Sequence, residues 1–297
     1  MRRFSQAGSL RHFSQAGSLR HFSQAGSLRH FAQAGSLRHV GVELDSALVS
    51  RFVGVIDLQD GLAVHGVGGQ RDRYLPVSTF HAAGQSSLPI DGDVCRLIDG
   101  YQGVGIGSLY VADLDGIRYG RWQQSLIETI VHRAPVANDS DRHGTVFLDL
   151  GLRAAVAAEG WDWLESLVRS NPRVMVILAT ECAGDVSLLA DVLSRVPRNQ
   201  VAVSLDYQGG RWLSASTSEE AWFEACRRAA IATVIGLDLA SVGGTSVERT
   251  LGLCKRVRRQ LPQPRYVTGG GVRGASDAQC LLDAGADQLL VASLFAE

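Results

Sequence analysis

The chain has 297 residues, 45% of them apolar, and a formal net charge of -1. That length admits one large domain or two small ones, and a near-neutral charge argues against nucleic acid or another polyanion as a partner recognised by bulk charge. No apolar run approaches the roughly 18 residues a membrane span requires. The five cysteines (Cys95, Cys182, Cys226, Cys254, Cys280) form no CxxC pair and no zinc-ligand spacing with His, so no metal is expected. Free thiols in a reducing cytoplasm are the expectation.

The N-terminus is a tandem repeat. "FSQAGSLRH" begins at Phe4, Phe13 and Phe22 and returns as "FAQAGSLRH" at Phe31. Nine residues are two and a half helical turns, and an odd period flips the face of a strand, so successive Phe side chains point in opposite directions. No apolar stripe builds up, and residues 1–39 are expected to be a disordered tail. Perfect tandem copies point to duplicated coding sequence more than to a transit peptide. Residues 40–51 read as a connecting segment with a possible apolar face at Val42, Leu44, Leu48 and Val49.

From Phe52 onward, short β-branched runs alternate with helical patterns such as "DVSLLADVLSRV". Strands are expected near Val53 to Leu58, Ser108 to Asp113, Thr145 to Leu150, Val174 to Ala179, Val201 to Asp206, Thr233 to Leu239, Arg265 to Thr268 and Gln288 to Ala292. Eight strands separated by helices over 52–297 predict a (β/α)8 TIM barrel. A doubly wound sheet is the alternative, but the glycines of "GVGIGS" precede a strand instead of following one, which is the wrong context for a dinucleotide loop. The barrel also reads as two half-barrels. "IDLQDG" from Ile56 matches "LDYQGG" from Leu205, "ADL" at Ala112 matches "LDL" at Leu237, "GLR" at Gly151 pairs with "GVR" at Gly271, and "LAT" at Leu178 with "VAS" at Val291.

In such a barrel the functional groups sit at the carboxyl ends of the strands, and phosphate is commonly held after strands 7 and 8 by backbone N–H groups. Gly269, Gly270 and Gly271 follow the seventh strand, where missing Cβ atoms would let a phosphate oxygen approach, and Ser276 could cap the next helix. The half-barrel twin of this site retains Gly151 and Arg153. Two opposite sites would suit a ligand with phosphate at each end. Asp57 ends the first strand and Asp206 the fifth, facing each other across the mouth. One could take a proton from carbon while the other gives one to a ring oxygen. The loop from Gln59 to Pro89, with His65, Arg71, Arg73 and Tyr74, is long enough to be a mobile lid over an anionic substrate. Only six residues follow Val291, so an eighth helix is expected to be absent, its place covered by the connecting segment or by a second subunit.

At "VIDLQDG", "YVADLDG", "SLDYQGGRW", "GLDLASVGGT" and "TGGGVRG" the chain resembles the histidine-biosynthesis barrels, comprising the phosphoribosylformimino-aminoimidazole-carboxamide ribotide isomerase and its cyclase relative. The resemblance covers roughly Phe52 to Glu297. It implies a cofactor-independent Amadori rearrangement of a bisphosphorylated ribotide, with Asp57 as general base and Asp206 as general acid. Family phosphate-binding positions fall on Gly270 and Gly271, and on Ala292 and Ser293 where the family usually has a Gly-containing pair.

Several positions depart from the family pattern. The isomerase's strand-6 Thr is Leu237 here, and its Arg-Asp-Gly-Thr loop reads "ASVGGT", leaving Gly244 and Thr245. The three glycines after strand 3 have become "DLG", and the cyclase's strand-1 lysine is His65. In "VHGVGGQRDRYLPV" and "ATVIGLDLASVG" the chain is similar to a divergent branch encountered alongside tetrahydromethanopterin-linked one-carbon enzymes. Three functions therefore stand open: a ribotide isomerase, a barrel acting on another phosphorylated metabolite in one-carbon cofactor metabolism, or a non-catalytic barrel that binds a phosphorylated ligand. The expected partner is a phosphorylated small molecule, with a homo-oligomer possible.

Overall fold

The computed structural model describes residues 44–66, 68–82, 86–134, 144–214 and 216–297. The repeat tail assigned to 1–39 lies outside the described residues. Eight parallel strands close on themselves: β1 (Phe52–Gln59), β2 (Ser108–Asp113), β3 (Val146–Asp149), β4 (Val174–Ala179), β5 (Val201–Gln208), β6 (Thr233–Asp238), β7 (Arg265–Gly269) and β8 (Gln288–Val291). They pair in sequence order, and β8 returns to β1 through Phe52 and Leu289. This is the predicted TIM barrel, with each strand where the apolar runs place it.

The runs are nearly continuous because both faces of each strand are buried. In β4 all six residues of "VMVILA" are buried. One face fills the barrel, where Val53, Tyr110, Phe147, Ile177, Ile235 and Val267 meet. The other face packs on the helices, joining Ile56, Leu58, Leu109 and Leu148 to residues such as Leu97, Ile127 and Leu164. Among the described residues a long helix follows each of the first seven strands: α1 (Val94–Gly103), α2 (Gln124–Arg133), α3 (Ala158–Ser170), α4 (Ser187–Arg195), α5 (Glu219–Arg228), α6 (Glu248–Gln260) and α7 (Ala275–Asp283). Local chemistry sets their starts. The Asp93 carboxylate accepts from the N–H groups of Cys95 and Arg96 at 2.8 and 3.1 Å ahead of α1, and Ser218 caps α5 through Ala221 N–H at 3.2 Å. Ser276 lies inside the first turn of α7, whose cap position is Gly274, so it does not cap that helix.

Among the described residues no helix follows β8. The outer face of β8 and β1 is covered instead by a hairpin of the first loop, Thr79–Phe80 against Leu88–Pro89, and by the residues after β8. Phe80 bridges to Ala296, and its ring stacks on Phe295 at 5.6 Å while meeting Tyr101 of α1 edge-on at 5.3 Å. The sequence expectation gave this place to residues 40–52 or to a second subunit. The first loop takes it because Val77, Phe80 and Ile90 supply the buried apolar side chains. Ahead of β1, a single turn at Ser46–Val49, capped by Asp45, buries Val49 and packs Leu44 and Leu48 on the same core.

Strand register carries the half-barrel relation into three dimensions. Asp57 is level with Ala112, Ala112 with Asp149, and Asp149 with Ile177. In the second half Asp206 is level with Leu237, Leu237 with Gly269, and Gly269 with Leu290. Each half also opens with a hairpin. β1 returns as Leu62–His65 and β5 as Arg211–Trp212. The first turn is held by Asp115, which accepts from Asp60 N–H at 3.2 Å, and the second by Asp238, which accepts from Gly209 and Gly210 N–H at 2.8 and 2.7 Å.

Candidate active site at the carboxyl ends of the strands

The carboxyl ends of the strands surround a cavity of about 900 Å³, its open mouth included. Asp57 and Asp206, the two carboxylates singled out by sequence, both line it, so the structure brings them into one pocket. Two further acids join them, Asp149 on β3 and Glu181 directly after β4.

Desolvation dominates these carboxylates. Burial pushes Asp57 up to about 7, with Arg71 acting in the opposite sense. Asp149 also rises to about 7, through burial first and then the negative charges of Glu181 and Asp206. Asp206 rises to about 6 for the same first reason, held back by its hydrogen bonds. Those bonds fix its orientation: it accepts from Ser204 Oγ at 2.6 Å, Thr180 Oγ1 at 3.2 Å and Glu181 N–H at 3.2 Å. Tyr110, fully inside the barrel, donates to Asp149 at 3.1 Å, and burial together with Asp149, Asp206 and Asp57 pushes its hydroxyl well above the ordinary phenol range. Carboxyls held near neutrality by burial can each give or take a proton, as acid–base chemistry on one substrate requires.

The first loop crosses above this pocket. Arg71 donates to Glu181 at 2.6 Å, tying the loop after β1 to the end of β4. Burial works against the guanidinium's charge, and Glu181 and Asp149 more than offset it, so its pKa is raised. Asp72 pairs with Arg118 after β2, and Gly68 N–H donates to Val242 O at 2.8 Å after β6. The segment proposed as a lid thus rests on three sides of the mouth, with Arg71, Tyr74 and His65 lining the cavity below.

The glycines after β7 border the same cavity. Gly269, Gly270, Gly271, Ala292 and Ser293 all line it. Their backbones are also packed tightly. A Cβ on Gly270, whose φ is +108°, would lie 2.8 Å from Ser241 Cβ, and one on Gly271, with φ of +78°, would lie 2.0 Å from Ser246 O. The glycines therefore serve close approach to the loop after β6 as well as an open face. Arg273 braces the arrangement by donating to the carbonyls of Gly244 at 3.1 Å, Gly243 at 3.2 Å and Ser293 at 3.1 Å.

Four expected site residues are not part of the cavity wall: Gly151, Arg153, Gly244 and Thr245. Arg153 spends its guanidinium on the carbonyls of Gly151, at 3.2 Å, and Ile117. Burial pushes the thiol of Cys182, beside it, up to about 12, which disfavours the thiolate. Among the described residues, no three His, Cys, Asp or Glu side chains are grouped to hold a metal ion, and no helix is long and apolar enough to cross a membrane.

A model of the family described as "Histidine biosynthesis protein" matches residues 51–297. The chain belongs to that family. A curated relative, an uncharacterized protein of Methanocaldococcus jannaschii, is 29% identical over 246 residues, which span 82% of this chain and 92% of the relative.

Within this histidine biosynthesis family barrel, sequence reading missed Asp149, Glu181, Tyr110 and the pairing of Arg71. Asp149 was in view only as part of "DLG", read as a depleted glycine run. Its acidic side chain at the end of a predicted strand was the available signal. Glu181 carried no such signal, because its loop position gains meaning only once β4 and the first loop meet.

Proposed function

We propose that the barrel is an acid–base isomerase for a phosphorylated sugar-like metabolite, working by an Amadori-type aldose-to-ketose rearrangement. The observation that carries this reading is the meeting of Asp57, Asp206 and the glycines after β7 in one cavity, with both carboxyls titrating near neutrality. In this scheme the phosphate docks against the loops after β7 and β8. Support comes from Gly271 and Val272, whose N–H groups have no acceptor among the described residues. With the phosphate anchored, one aspartate protonates the ring oxygen and opens the sugar, and the other removes the proton from the neighbouring carbon. Family resemblance assigns the acid to Asp206 and the base to Asp57. Arg71 and the segment around it exclude water from the intermediate.

The ribotide of histidine biosynthesis is the substrate the family suggests first. Growth of a histidine auxotroph lacking the ribotide isomerase, when supplied with this gene, tests it directly. Growth dependent on both Asp57 and Asp206 supports the ribotide reading. No growth, combined with turnover of another aldose phosphate by the purified protein, keeps the acid–base scheme and moves the substrate. If no aldose phosphate turns over and none binds, the scheme fails.

A further inference from the structure

The two half-barrels present corresponding strand ends to the cavity, but one ends in a carboxylate and the other in a glycine. Register makes Asp149 on β3 the counterpart of Gly269 on β7, since Asp149 is level with Ala112 and Ile177 as Gly269 is with Leu237 and Leu290. Two residues on, Gly151 and Gly271 correspond, both at positive φ of +63° and +78°. Beyond them Arg153 and Arg273 each turn onto backbone carbonyls. The frame of a phosphate site is therefore present twice.

Only one copy is open. The N–H of Gly151 donates to Asp149 Oδ1 at 3.1 Å, so the chain's own carboxylate fills the place an anion would take. Asp149 is 4% exposed and its other oxygen accepts from Tyr110, which fixes it there. Gly151 is also set back from the cavity, whose wall on that side is formed by Ile117 and Leu114. Beside it stand Glu181 and Asp206, further negative charge at the same end. In the second half the matching position is Gly269, with no side chain, and Gly269, Gly270 and Gly271 face the cavity directly.

We infer that the substrate carries a single phosphate, bound after β7 and β8, and that its opposite end, against Asp149 and Tyr110, is uncharged or cationic. The inference rests on the phosphate reading of the β7–β8 loops and narrows it away from the family's bisphosphorylated ribotide to a monophosphate: Asp149 is the residue that selects against a bisphosphate. A second phosphate would have to displace an internal carboxylate from Gly151, next to Asp206 and to a Glu181 that already occupies the nearby Arg71. A hydroxyl, amide or ammonium group finds acceptors there instead.

The test uses the full chain and defined probes. Crystals soaked in inorganic phosphate are expected to show density against Gly271 and none against Gly151. Calorimetry is expected to find ribose 5-phosphate bound no more than about 3-fold more weakly than ribulose 1,5-bisphosphate. Asp149→Gly is expected to shift that ratio at least about 10-fold toward the bisphosphate. Asp149→Asn, which keeps the shape and removes the charge, carries the comparison if the glycine variant does not fold, with a smaller shift in the same direction. Phosphate at both glycines in the unaltered protein, a bisphosphate preference of 10-fold or more, or an unchanged ratio in both variants overturns the inference while leaving the β7–β8 site standing. Phosphate at Gly151 alone, or at neither glycine with no sugar phosphate bound, overturns the β7–β8 reading and this inference with it.

Discussion

The guanidinium of Arg71 and the carboxylate of Glu181 meet at 2.6 Å across the mouth of the barrel, joining the loop after β1 to the end of β4. Both side chains are largely shielded, at 22% and 14% exposure, so the pair is screened less than a surface ion pair. Removing either partner leaves the other charge without its counterion. Glu181→Gln is expected to raise hydrogen exchange and protease cleavage across residues 66–74 several-fold and to weaken ligand binding by about 1–2 kcal/mol. Unchanged exchange in that segment would show that the other two anchors, at Arg118 and Val242, hold it without the pair.

Asp57→Asn and Asp206→Asn are each expected to lower turnover on the true substrate by roughly 100-fold or more. Phosphate-ligand affinity is expected to stay within about 3-fold, since neither side chain belongs to the β7–β8 loops. Steady-state kinetics with parallel calorimetry separates the two effects. Full activity in either variant removes that aspartate from the mechanism.

Buried carboxyls give stability a slope against pH. Asp57 and Asp149 titrate near 7 and Asp206 near 6 in the folded chain, against 3.8 for an ordinary aspartate. Between about pH 4 and 7 the folded state therefore binds more protons than the unfolded one, and stability falls as pH rises through this window. Asp149→Asn removes one contributor. It is expected to raise the melting temperature above pH 7, where the buried charge costs up to about 4 kcal/mol, and to change it little at pH 4. Thermal melts of both proteins from pH 4 to 8 check the sign.

The glycines after β7 give a fourth expectation. Gly271→Ala places a Cβ against Ser246 O and forces a residue with φ of +78°, and Gly270→Val does the same against Ser241. Each is expected to cost about 2–4 kcal/mol of stability and at least about 5 °C in melting temperature, as well as phosphate affinity. A melt without ligand, set beside a phosphate titration, reads both. Glycines that served only an approaching phosphate would lose the ligand before the fold. The contacts with the loop after β6 make the two losses arrive together.

How much was legible follows from where each signal resides. The eight strands announced themselves because strands buried on both faces must be apolar almost throughout, and Asp57 and Asp206 stood out as acids at the ends of such runs. The half-barrel relation was readable from matched pairs such as Gly151 and Gly271, and strand register bears it out. The first loop was read as one lid because its length was visible and its division was not. Val77, Phe80 and Ile90 bury one part under the barrel's flank, while Arg71 and Tyr74 place another over the cavity. Arg71 and Glu181, distant in sequence, belong to loops, where neither periodicity nor spacing reports a contact.

The ladder between β1 and β8 has a consequence for how the chain folds. Phe52 pairs with Leu289, and Phe80 with Ala296, so the contacts that shut the cylinder join segments separated by most of the barrel's length. Strands β1 to β4 can form ladders with near neighbours as they are synthesised, but the ring of Phe80 has no Phe295 to stack on until the last strand has emerged. Closing so long a loop is entropically slow, and contacts of this range make late steps in folding. Until then the edge of β1 and the apolar face beneath Phe80 are open to other chains, so this seam is where a nascent or destabilised molecule is most exposed to aggregation.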